Sequence, residues 1–428
     1  MKKSLTWQDF FSLQRFGITA DLRNIHLFCE RLGHPESKFP SVHIGGTNGK
    51  GSVAATLDSI LRAGGFKVGM YTSPHLLRFE ERIRINGDPI SKEVVFQFLE
   101  KHWEFIQNEP CTFFETATAL ALDVFRNEKV DIAVIEVGLG GTYDATRVVH
   151  SILSVITRID FDHTDRLGNT LTEIADNKAG IFVKGKQALT GDQPPEVLDV
   201  LRKRAEWIEA PFFQSDDLVT FSSVQFSPQG ITGDAILRCN DAEIQLRNFH
   251  FPLSGFYQIE NLKTAMAASA ILSDGIYAVN EKSIATGIRS VSWSGRLQIL
   301  REKPYLIADV GHNPGALKNA LHSLRKIWNP RKIIAVFSAL RDKDVFAMLK
   351  HLQEGVDEIL LVPLSCERGL SLAELCAIAN AAGCICGQKK TVSAALKTAL
   401  RAANPEDLIL VIGSHYLVGE LLKIGKIS

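Results

Sequence analysis

The stretch Gly45-Gly46-Thr47-Asn48-Gly49-Lys50-Gly51-Ser52 constrains the fold more than any other part of this 428-residue chain. A β-prone run at 41–44 leads into it and a helix-compatible run at 53–63 leads out, so the order is strand, glycine-rich turn, helix. Glycines tolerate positive φ and let backbone N–H groups come close to a ligand. The helix that follows turns its positive end to the same point, which suits an anion. Lys50 adds a full positive charge and Ser52 a hydroxyl. This is a phosphate cradle of the P-loop type. It departs from the commonest spelling, in which Ser or Thr directly follows Lys, because Gly51 intervenes. The competing reading is a structural turn with a solvated lysine; the flanking strand and helix favour the cradle.

Length allows about two or three domains with sizeable cores. With 45% apolar and 22% charged residues the composition is that of an ordinary soluble protein. Lys plus Arg equals Asp plus Glu, 48 against 48, so charge gives no reason to expect nucleic acid or an anionic membrane as partner. The N-terminal lysines precede no apolar run, so no secretory signal is expected. No stretch approaches the ~20 apolar residues of a membrane span. The seven cysteines are scattered and odd in number, which fits a reducing compartment such as the cytoplasm. Cys384 and Cys386 form a C-x-C pair, but no second pair or nearby histidine completes a zinc site; two thiols on a short strand are expected. Internal repeats and low-complexity tracts are absent.

Taken in order, residues 21–32 read as a helix that Asp21 can cap and Gly33 can end. A strand at 66–71 runs into the turn formers Thr72-Ser73-Pro74-His75. Arg78, Arg82 and Arg84 follow; they are either a solvated face or a receptor for an anionic substrate. A helix at 113–125 precedes a buried strand at 130–137 with Glu136 at its carboxyl end. A carboxylate on a strand tip beside a P-loop is what a Mg·nucleotide site needs, because Mg²⁺ takes hard oxygen ligands. The alternative is a glutamate that caps a neighbouring turn. The strand at 152–159 ends in Asp160-Phe161-Asp162-His163-Thr164-Asp165. Carboxylates and a histidine at one tip are costly to bury unless paired or metal-bound. In a parallel sheet the strand C-termini line one edge, so Lys50, Ser73, Glu136 and His163 should converge. Lys178 follows close in sequence, either as a salt bridge to the acidic tip or as something chemical.

Residues 189–251 are of mixed periodicity and are expected to form a small β-rich insert. Residues 255–261 open a helix at 262–272, and the pattern breaks at 290–295. A domain boundary is expected there, giving units 1–293 and 294–428. Strands at 305–310, 332–338, 358–363 and 408–414 alternate with helices near 315–328, 345–352, 372–382, 393–402 and 415–423. This is a second, smaller α/β sheet. Its tip cluster Asp309-Val310-Gly311-His312-Asn313-Pro314 has no glycine-rich loop, so it should complete the first unit's site across a cleft.

On these motifs the chain resembles the folylpolyglutamate synthase/dihydrofolate synthase family, a branch of the Mur ligases. The resemblance runs from about Phe16 to Leu421. It rests on Gly46 to Ser52, Tyr71-Thr72-Ser73-Pro74-His75-Leu76, Glu81-Arg82-Ile83-Arg84-Ile85-Asn86-Gly87, and Glu136-Val137-Gly138-Leu139-Gly140-Gly141. Asp162-His163-Thr164-Asp165, Lys178-Ala179-Gly180-Ile181, Gly295-Arg296 and the Asp309 cluster complete it, in the family's order. The intervening Gly51 is the family's own spelling. The resemblance implies a P-loop NTPase-like central domain with a small β-rich insert, then a smaller Rossmann-like C-terminal domain.

It also implies roles. Gly49, Lys50, Gly51 and Ser52 would hold the ATP phosphates, with Lys50 catalytic. Ser73, Glu136 and His163 would bind two Mg²⁺ ions, and a monovalent cation is a further expectation. Lys178 would be carbamylated, turning an ammonium into an anionic oxygen ligand near the metals. Asn261, Arg296, Asp309 and His312 would contact ATP. Dihydropteroate or a reduced folate would lie near Ala20, Asp21 and Leu22, near Thr112, Phe113, Phe114 and Glu115, and near Tyr143, Asp144 and Ala145. L-glutamate would be the second substrate, and the chain would work as a monomer. Thr142, Arg147, Arg158, Asn177 and His415 depart from the family's usual residues. Two of them flank the substrate loop, so they bear on substrate preference more than on the reaction.

The reading is therefore an amide ligase that works through an acyl phosphate. Another Mur-type amino-acid ligase is the nearest alternative. A P-loop NTPase switch would account for Lys50 and Glu136 but not for the Asp309 cluster or the second α/β unit. A non-catalytic nucleotide-binding module is disfavoured because every expected metal ligand is present.

Overall fold

The computed structural model describes residues 5–13, 21–239, 242–273, 277 and 279–425. Two sheets face each other across a cleft. The first contains β1 (Ser41–Gly45), β2 (Val68–Tyr71), β3 (Ile83–Ile85), β4 (Asp88–Pro89), β5 (Ile132–Glu136), β6 (Ser151–Ile156), β7 (Gln187–Thr190) and β8 (Phe212–Gln214). Their order is β4-β3-β2-β5-β1-β6-β7-β8. The six strands β2, β5, β1, β6, β7 and β8 run parallel, and β3 and β4 add an antiparallel edge. β1 is central, so the P-loop emerges between the tips of β5 and β6.

The P-loop helix, Lys50–Ala63, is buried on nearly every face. Val53, Leu57, Ile60 and Leu61 are fully buried, each contributing about 1.5–3 kcal/mol of transfer free energy. The helices Tyr257–Ser273 and Glu281–Arg289 pack against it, and the first of them also meets β6 and β7. Such burial fixes the helix start, and hence the phosphate loop, in a rigid frame.

Residues 189–251 do not form one insert. Residues 187–214 continue the first sheet as β7, the helix Pro195–Trp207 and β8. Only β9 (Val219–Ser227), β10 (Gly230–Cys239) and β11 (Ala242–Phe251) form the separate antiparallel sheet. The reason is length: strands of three and four residues are too short to display a period. Ile231, Leu237, Phe249 and Phe251 join the core beneath the P-loop helix.

Beyond residues 290–295 lie β12 (Gln298–Glu302), β13 (Tyr305–Asp309), β14 (Ile333–Phe337), β15 (Glu358–Leu361), β16 (Cys386–Gln388) and β17 (Leu408–Ile412). They are ordered β12-β13-β17-β14-β15-β16, parallel except for β12. β12 and β16, both edge strands, escape the sequence pattern because one is charged and the other is three residues long. The tips of β13, β14 and β17 open toward the P-loop, the arrangement that places ligands at strand C-termini. No helix among the described residues is long and apolar enough to cross a membrane.

One contact tests this packing. A Cβ on Gly287 would stand 2.5 Å from Ile60 Cα and 2.8 Å from Ile60 N. Gly287→Ala should therefore destabilise the protein by about 1–3 kcal/mol, although alanine is the better helix former. Unfolding in urea measures it, and an unchanged or raised midpoint would refute the close helix contact.

Candidate active site

The cleft between the sheets is a cavity of about 1520 Å³ lined by both halves of the chain. Its floor is the P-loop. Gly46 and Gly49 have φ of 134° and 95°, values that favour glycine. A side chain on Gly46 would meet Thr157 Oγ1 at 2.0 Å, and one on Gly49 would meet Asn261 Oδ1 at 2.2 Å. The first intrahelical bond runs from Val53 N–H to Gly49 C=O, 2.9 Å. The amides of Lys50, Gly51 and Ser52 therefore have no intrahelical acceptor, the usual state of a helix start that receives an anion. Lys50 Nζ donates to the carbonyls of Gly46 and Thr47, both at 3.2 Å.

Lys178 ends the helix Leu171–Ala179 and is buried. Its Nζ donates to the Gly46 carbonyl at 2.8 Å. Among the described residues it forms no salt bridge with Asp162 or Asp165; Asp165 pairs with Arg166 instead. Burial and then the nearby Lys50 lower its pKa to about 7, with Asp162 and Asp144 opposing.

Glu136 stands at the tip of β5, buried, and accepts the Ser73 N–H at 3.2 Å. It forms no ion pair among the described residues. Burial raises its pKa, while Lys50, the Ser73 amide, Arg296 and Arg82 oppose the rise. A buried carboxylate with one hydrogen bond, beside the Ser73 side chain in the same cavity, fits a hard cation such as Mg²⁺. No group of three or more His, Cys, Asp or Glu side chains is assembled for a metal among the described residues. That suits an ion completed by phosphate oxygens and water rather than by a protein cage.

His163 is engaged differently. Burial holds its pKa down to about 4, so the ring is neutral at pH 7. Lys343 Nζ lies 3.0 Å from His163 Nε2, so Nε2 presents its lone pair and Nδ1 carries the proton, 3.8 Å from Asp342. Lys343, itself buried, also pairs with Asp162 at 2.6 Å. His312 Nε2 lies 3.4 Å from the other oxygen of Asp162. Burial alone would raise the Asp162 pKa; His312, Lys343 and His163 outweigh it and hold the carboxyl well below the usual range. Lys343 was not singled out in the sequence. Its signal was the charge run Arg341-Asp342-Lys343-Asp344 just beyond a strand tip of the second sheet.

On the far wall, Asp309 accepts from Tyr257 Oη (3.1 Å), Leu297 N (2.9 Å) and Gly311 N (2.7 Å). Asn261 Nδ2 donates to Gln258 Oε1 at 2.9 Å. Arg296 and His312 line the same wall. Asn48 in the P-loop and Asn313 beside His312 exchange amide hydrogen bonds of 3.4 and 2.9 Å, joining the two halves directly.

The third arm of the cavity is aromatic. Asp21, Thr112, Phe113, Phe114, Glu115, Tyr143, Asp144 and Ala145 line it. Leu22 does not; it packs on the neighbouring aromatic core. Ala20 lies outside the described residues. Glu115 is committed locally, its Oε2 accepting the Thr112 N–H at 2.7 Å in a capping box. Asp144 accepts Leu139 N at 2.8 Å and Thr146 N at 3.0 Å. The Thr146 hydroxyl also donates to Asp144, and Thr146 Oγ1 lies 2.8 Å from His43 Nε2. Since the hydroxyl proton is spent on the carboxylate, His43 must be the donor. Burial keeps His43 neutral, its pKa pushed down to about 3. A histidine inside β1 thus fixes the loop that carries Tyr143, Asp144 and Ala145, a link that no local pattern announces. Arg82 lines the cavity, whereas Arg78 is exposed and Arg84 bonds the carbonyls of Glu81 and Gly87.

Residues 44–269 match the Mur ligase middle domain and residues 295–415 the Mur ligase glutamate ligase domain. Fold and site together are those of a Mur ligase. The dihydrofolate synthase/folylpolyglutamate synthase of Bacillus subtilis is 35% identical over 348 residues, 79% of this chain and 80% of that protein. Mycobacterium tuberculosis folylpolyglutamate synthase complexed with ADP superposes with a TM-score of 0.90 at 29% identity, covering 97% of each chain. The bifunctional folylpolyglutamate synthase/dihydrofolate synthase of Yersinia pestis, complexed with AMPPNP and Mn ion, gives 0.84 at 31% identity over 99% of each. The chain belongs to the folylpolyglutamate synthase/dihydrofolate synthase family.

The burial of Lys178 has a measurable consequence. Its folded pKa, about 7, lies below the ordinary 10.5. Between those values the unfolded chain binds the extra proton, so this group's contribution to stability rises with pH and is weakest at pH 7 and below. In CO₂-free buffer, Lys178→Met should raise the Tm most at pH 7, and the gain should shrink toward pH 10. A pH-independent difference would mean the ammonium is not strained by burial.

Proposed function

We propose that this chain is an ATP-dependent ligase that joins L-glutamate to dihydropteroate and to the glutamate tail of reduced folates. The observation that carries the reading is one cleft of about 1520 Å³ in which a phosphate cradle, a nearly unpartnered carboxylate and an aromatic arm meet. The relatives' names and the nucleotides bound to them support it. Residues 1–293 are the ATP-binding unit and 294–428 the ligase unit, and the chain is read as working as a monomer. The absence of a membrane-spanning helix among the described residues is compatible with a cytoplasmic enzyme.

In this reading the acceptor carboxylate attacks the γ-phosphorus of ATP, the bond to the bridging oxygen breaks, and ADP leaves. The α-amine of glutamate then attacks the acyl phosphate, loses its proton, and phosphate departs. The amides of Lys50, Gly51 and Ser52 hold the phosphates, and the Lys50 ammonium offsets charge on the transferring group. Asn261, Arg296, Asp309 and His312 hold the remainder of the nucleotide. Ser73 and Glu136 would hold Mg²⁺, which would supply charge neutralisation at the phosphoryl group, and two such ions with a monovalent cation belong to the reading. His163 joins that set only when Lys343 releases its Nε2. Both walls of the cleft exclude water from the acyl phosphate, which would otherwise hydrolyse.

Lys178 is assigned to carbamylation. A lysine whose pKa lies near 7 presents a neutral amine at neutral pH. That nitrogen attacks CO₂, an N–C bond forms, and a proton is released. The sign of the side chain reverses, and its hard oxygens then suit Mg²⁺. With ¹³C-bicarbonate and Mg·ADP the wild type should show a carbamate carbon signal that Lys178→Ala lacks. Identical spectra would sink the assignment.

ADP release, measured with dihydropteroate and tetrahydrofolate separately, tests the reaction. Release should require Mg²⁺, one acceptor and glutamate, and Lys50→Ala should cut kcat by about 10²–10³-fold or more. ATP turnover that ignores the acceptor would make the chain an NTPase. Turnover with one acceptor only would reduce it to a single activity.

A further inference from the structure

Arg82 is buried, 8% exposed, and lines the cleft. It lies at the start of β3's approach, in the short helix Phe79–Arg82. Its Nε donates to His75 Nδ1 at 2.8 Å. Burial, then the charge of Arg82, push the His75 pKa down to about 3, so that ring is neutral and its Nδ1 accepts. The guanidinium carbon sits 5.3 Å from the Phe113 ring and 5.9 Å from the Phe79 ring. One nitrogen and the faces of two rings thus hold the group in place. Among the described residues neither Nη takes a hydrogen bond and Arg82 forms no ion pair.

The carboxylates nearby do not satisfy it. Glu81 is spent on the backbone amides of Leu76, Leu77 and Arg78, at 2.9, 3.2 and 2.9 Å. Glu136 accepts the Ser73 amide and faces the phosphate loop. The other acidic groups that bear on Arg82 are the Tyr71 and Tyr416 hydroxyls. A guanidinium buried without a counterion is costly, and an incoming anion removes that cost.

Three anions enter this cleft in the proposed reaction: the nucleotide phosphates, the acceptor carboxylate and L-glutamate. Arg82 stacks on Phe113, which belongs to the aromatic arm and not to the P-loop floor. We propose that Arg82 is the receptor for the carboxylate of the acceptor substrate, gripping both oxygens with its two Nη groups. The fork matches a carboxylate, which a lysine point charge does not. A carboxylate offers about four lone-pair sites. The fork takes one on each oxygen and leaves a lone pair free to attack the γ-phosphorus. His75 is then a positioning residue, since it acts through Arg82.

This inference rests on the ligase reading and deepens it. The test is equilibrium binding to the full chain, by calorimetry, of dihydropteroate and of its carboxamide, with ADP as control. Arg82→Gln should weaken dihydropteroate by about ten- to hundred-fold, the range of a charge-assisted hydrogen-bonded pair. The carboxamide should bind wild type and variant alike, and ADP affinity should hold within about threefold. Arg82→Lys, which keeps the charge and the stem, should recover part of the loss and covers the case in which the glutamine variant does not fold. Equal weakening of acid and amide, no weakening at all, or a loss confined to ADP would each overturn the assignment. A wild type that binds neither pterin compound would remove the ligase reading and this one together, a result distinct from the others.

Discussion

The carbonyl of Gly46 accepts from two lysines, Lys50 at 3.2 Å and Lys178 at 2.8 Å. Much of the site follows from that oxygen. One lysine comes from the helix just after the turn, the other from a helix end 132 residues further along. Gly46 itself has no room for a side chain, since a Cβ there would sit inside Thr157. Burial first, and then the charge of the nearby Lys50, lower the pKa of Lys178, the more buried of the two. The floor of the cleft thus gathers two lysines around one backbone carbonyl, next to helix-start amides that have no intrahelical acceptor.

The contact between the two halves works in the other sense. Asp162 gathers Lys343 and His312 from the C-terminal half and His163 from its own loop. Asn48 and Asn313 exchange hydrogen bonds across the same gap, and Asn313 Oδ1 also accepts the Ala316 N–H that caps the helix Pro314–Ser323. Trp293, in the segment between the sheets, lies against Gly51, where a Cβ would meet its Nε1 at 2.9 Å. The glycine that separates Lys50 from Ser52 thus has a packing reason. The two halves are held together through groups that also touch the phosphate loop, so the position of the second sheet and the shape of the cradle are not independent.

What the sequence disclosed and what it hid divide along physical lines. The P-loop, the strand tips at Glu136 and Asp162, and the Asp309 cluster were legible because glycine spacing and buried runs are local signals. Their convergence was legible because parallel strands end on one edge. Lys343 and His43 were not: each acts on a partner about a hundred or more residues away, 103 for His43 and Thr146, 180 for Lys343 and His163. A single lysine in a charge run and a histidine inside a β-strand look the same whether or not such a partner exists. The extent of the insert was misjudged at β7 and β8, where the strands are shorter than the window in which periodicity can be seen. The family resemblance puts Leu22 in the site, but its side chain packs on the aromatic core.

Three of the five residues that depart from the family's pattern lie together in space. Thr142 donates from both its amide and its hydroxyl to the carbonyl of Asn177, at 3.2 and 3.1 Å. Arg147 Nε donates to the carbonyl of Gly180 at 2.7 Å. A Cβ on Gly141 would meet the carbonyl oxygen of Lys178 at 2.6 Å, and one on Gly140 the Asn177 side chain at 2.5 Å. Thr142, Arg147 and Asn177 therefore form one seam between the loop that holds Tyr143, Asp144 and Ala145 and the helix end that carries Lys178. Each bond in the seam ends on a backbone carbonyl, so moving the loop moves the helix end or leaves a buried acceptor unpaired, at a cost of about 1–3 kcal/mol. Substitutions in the loop 143–145 therefore act on the position of Lys178 through the same contacts, and changes at these positions must preserve the seam to move one without the other.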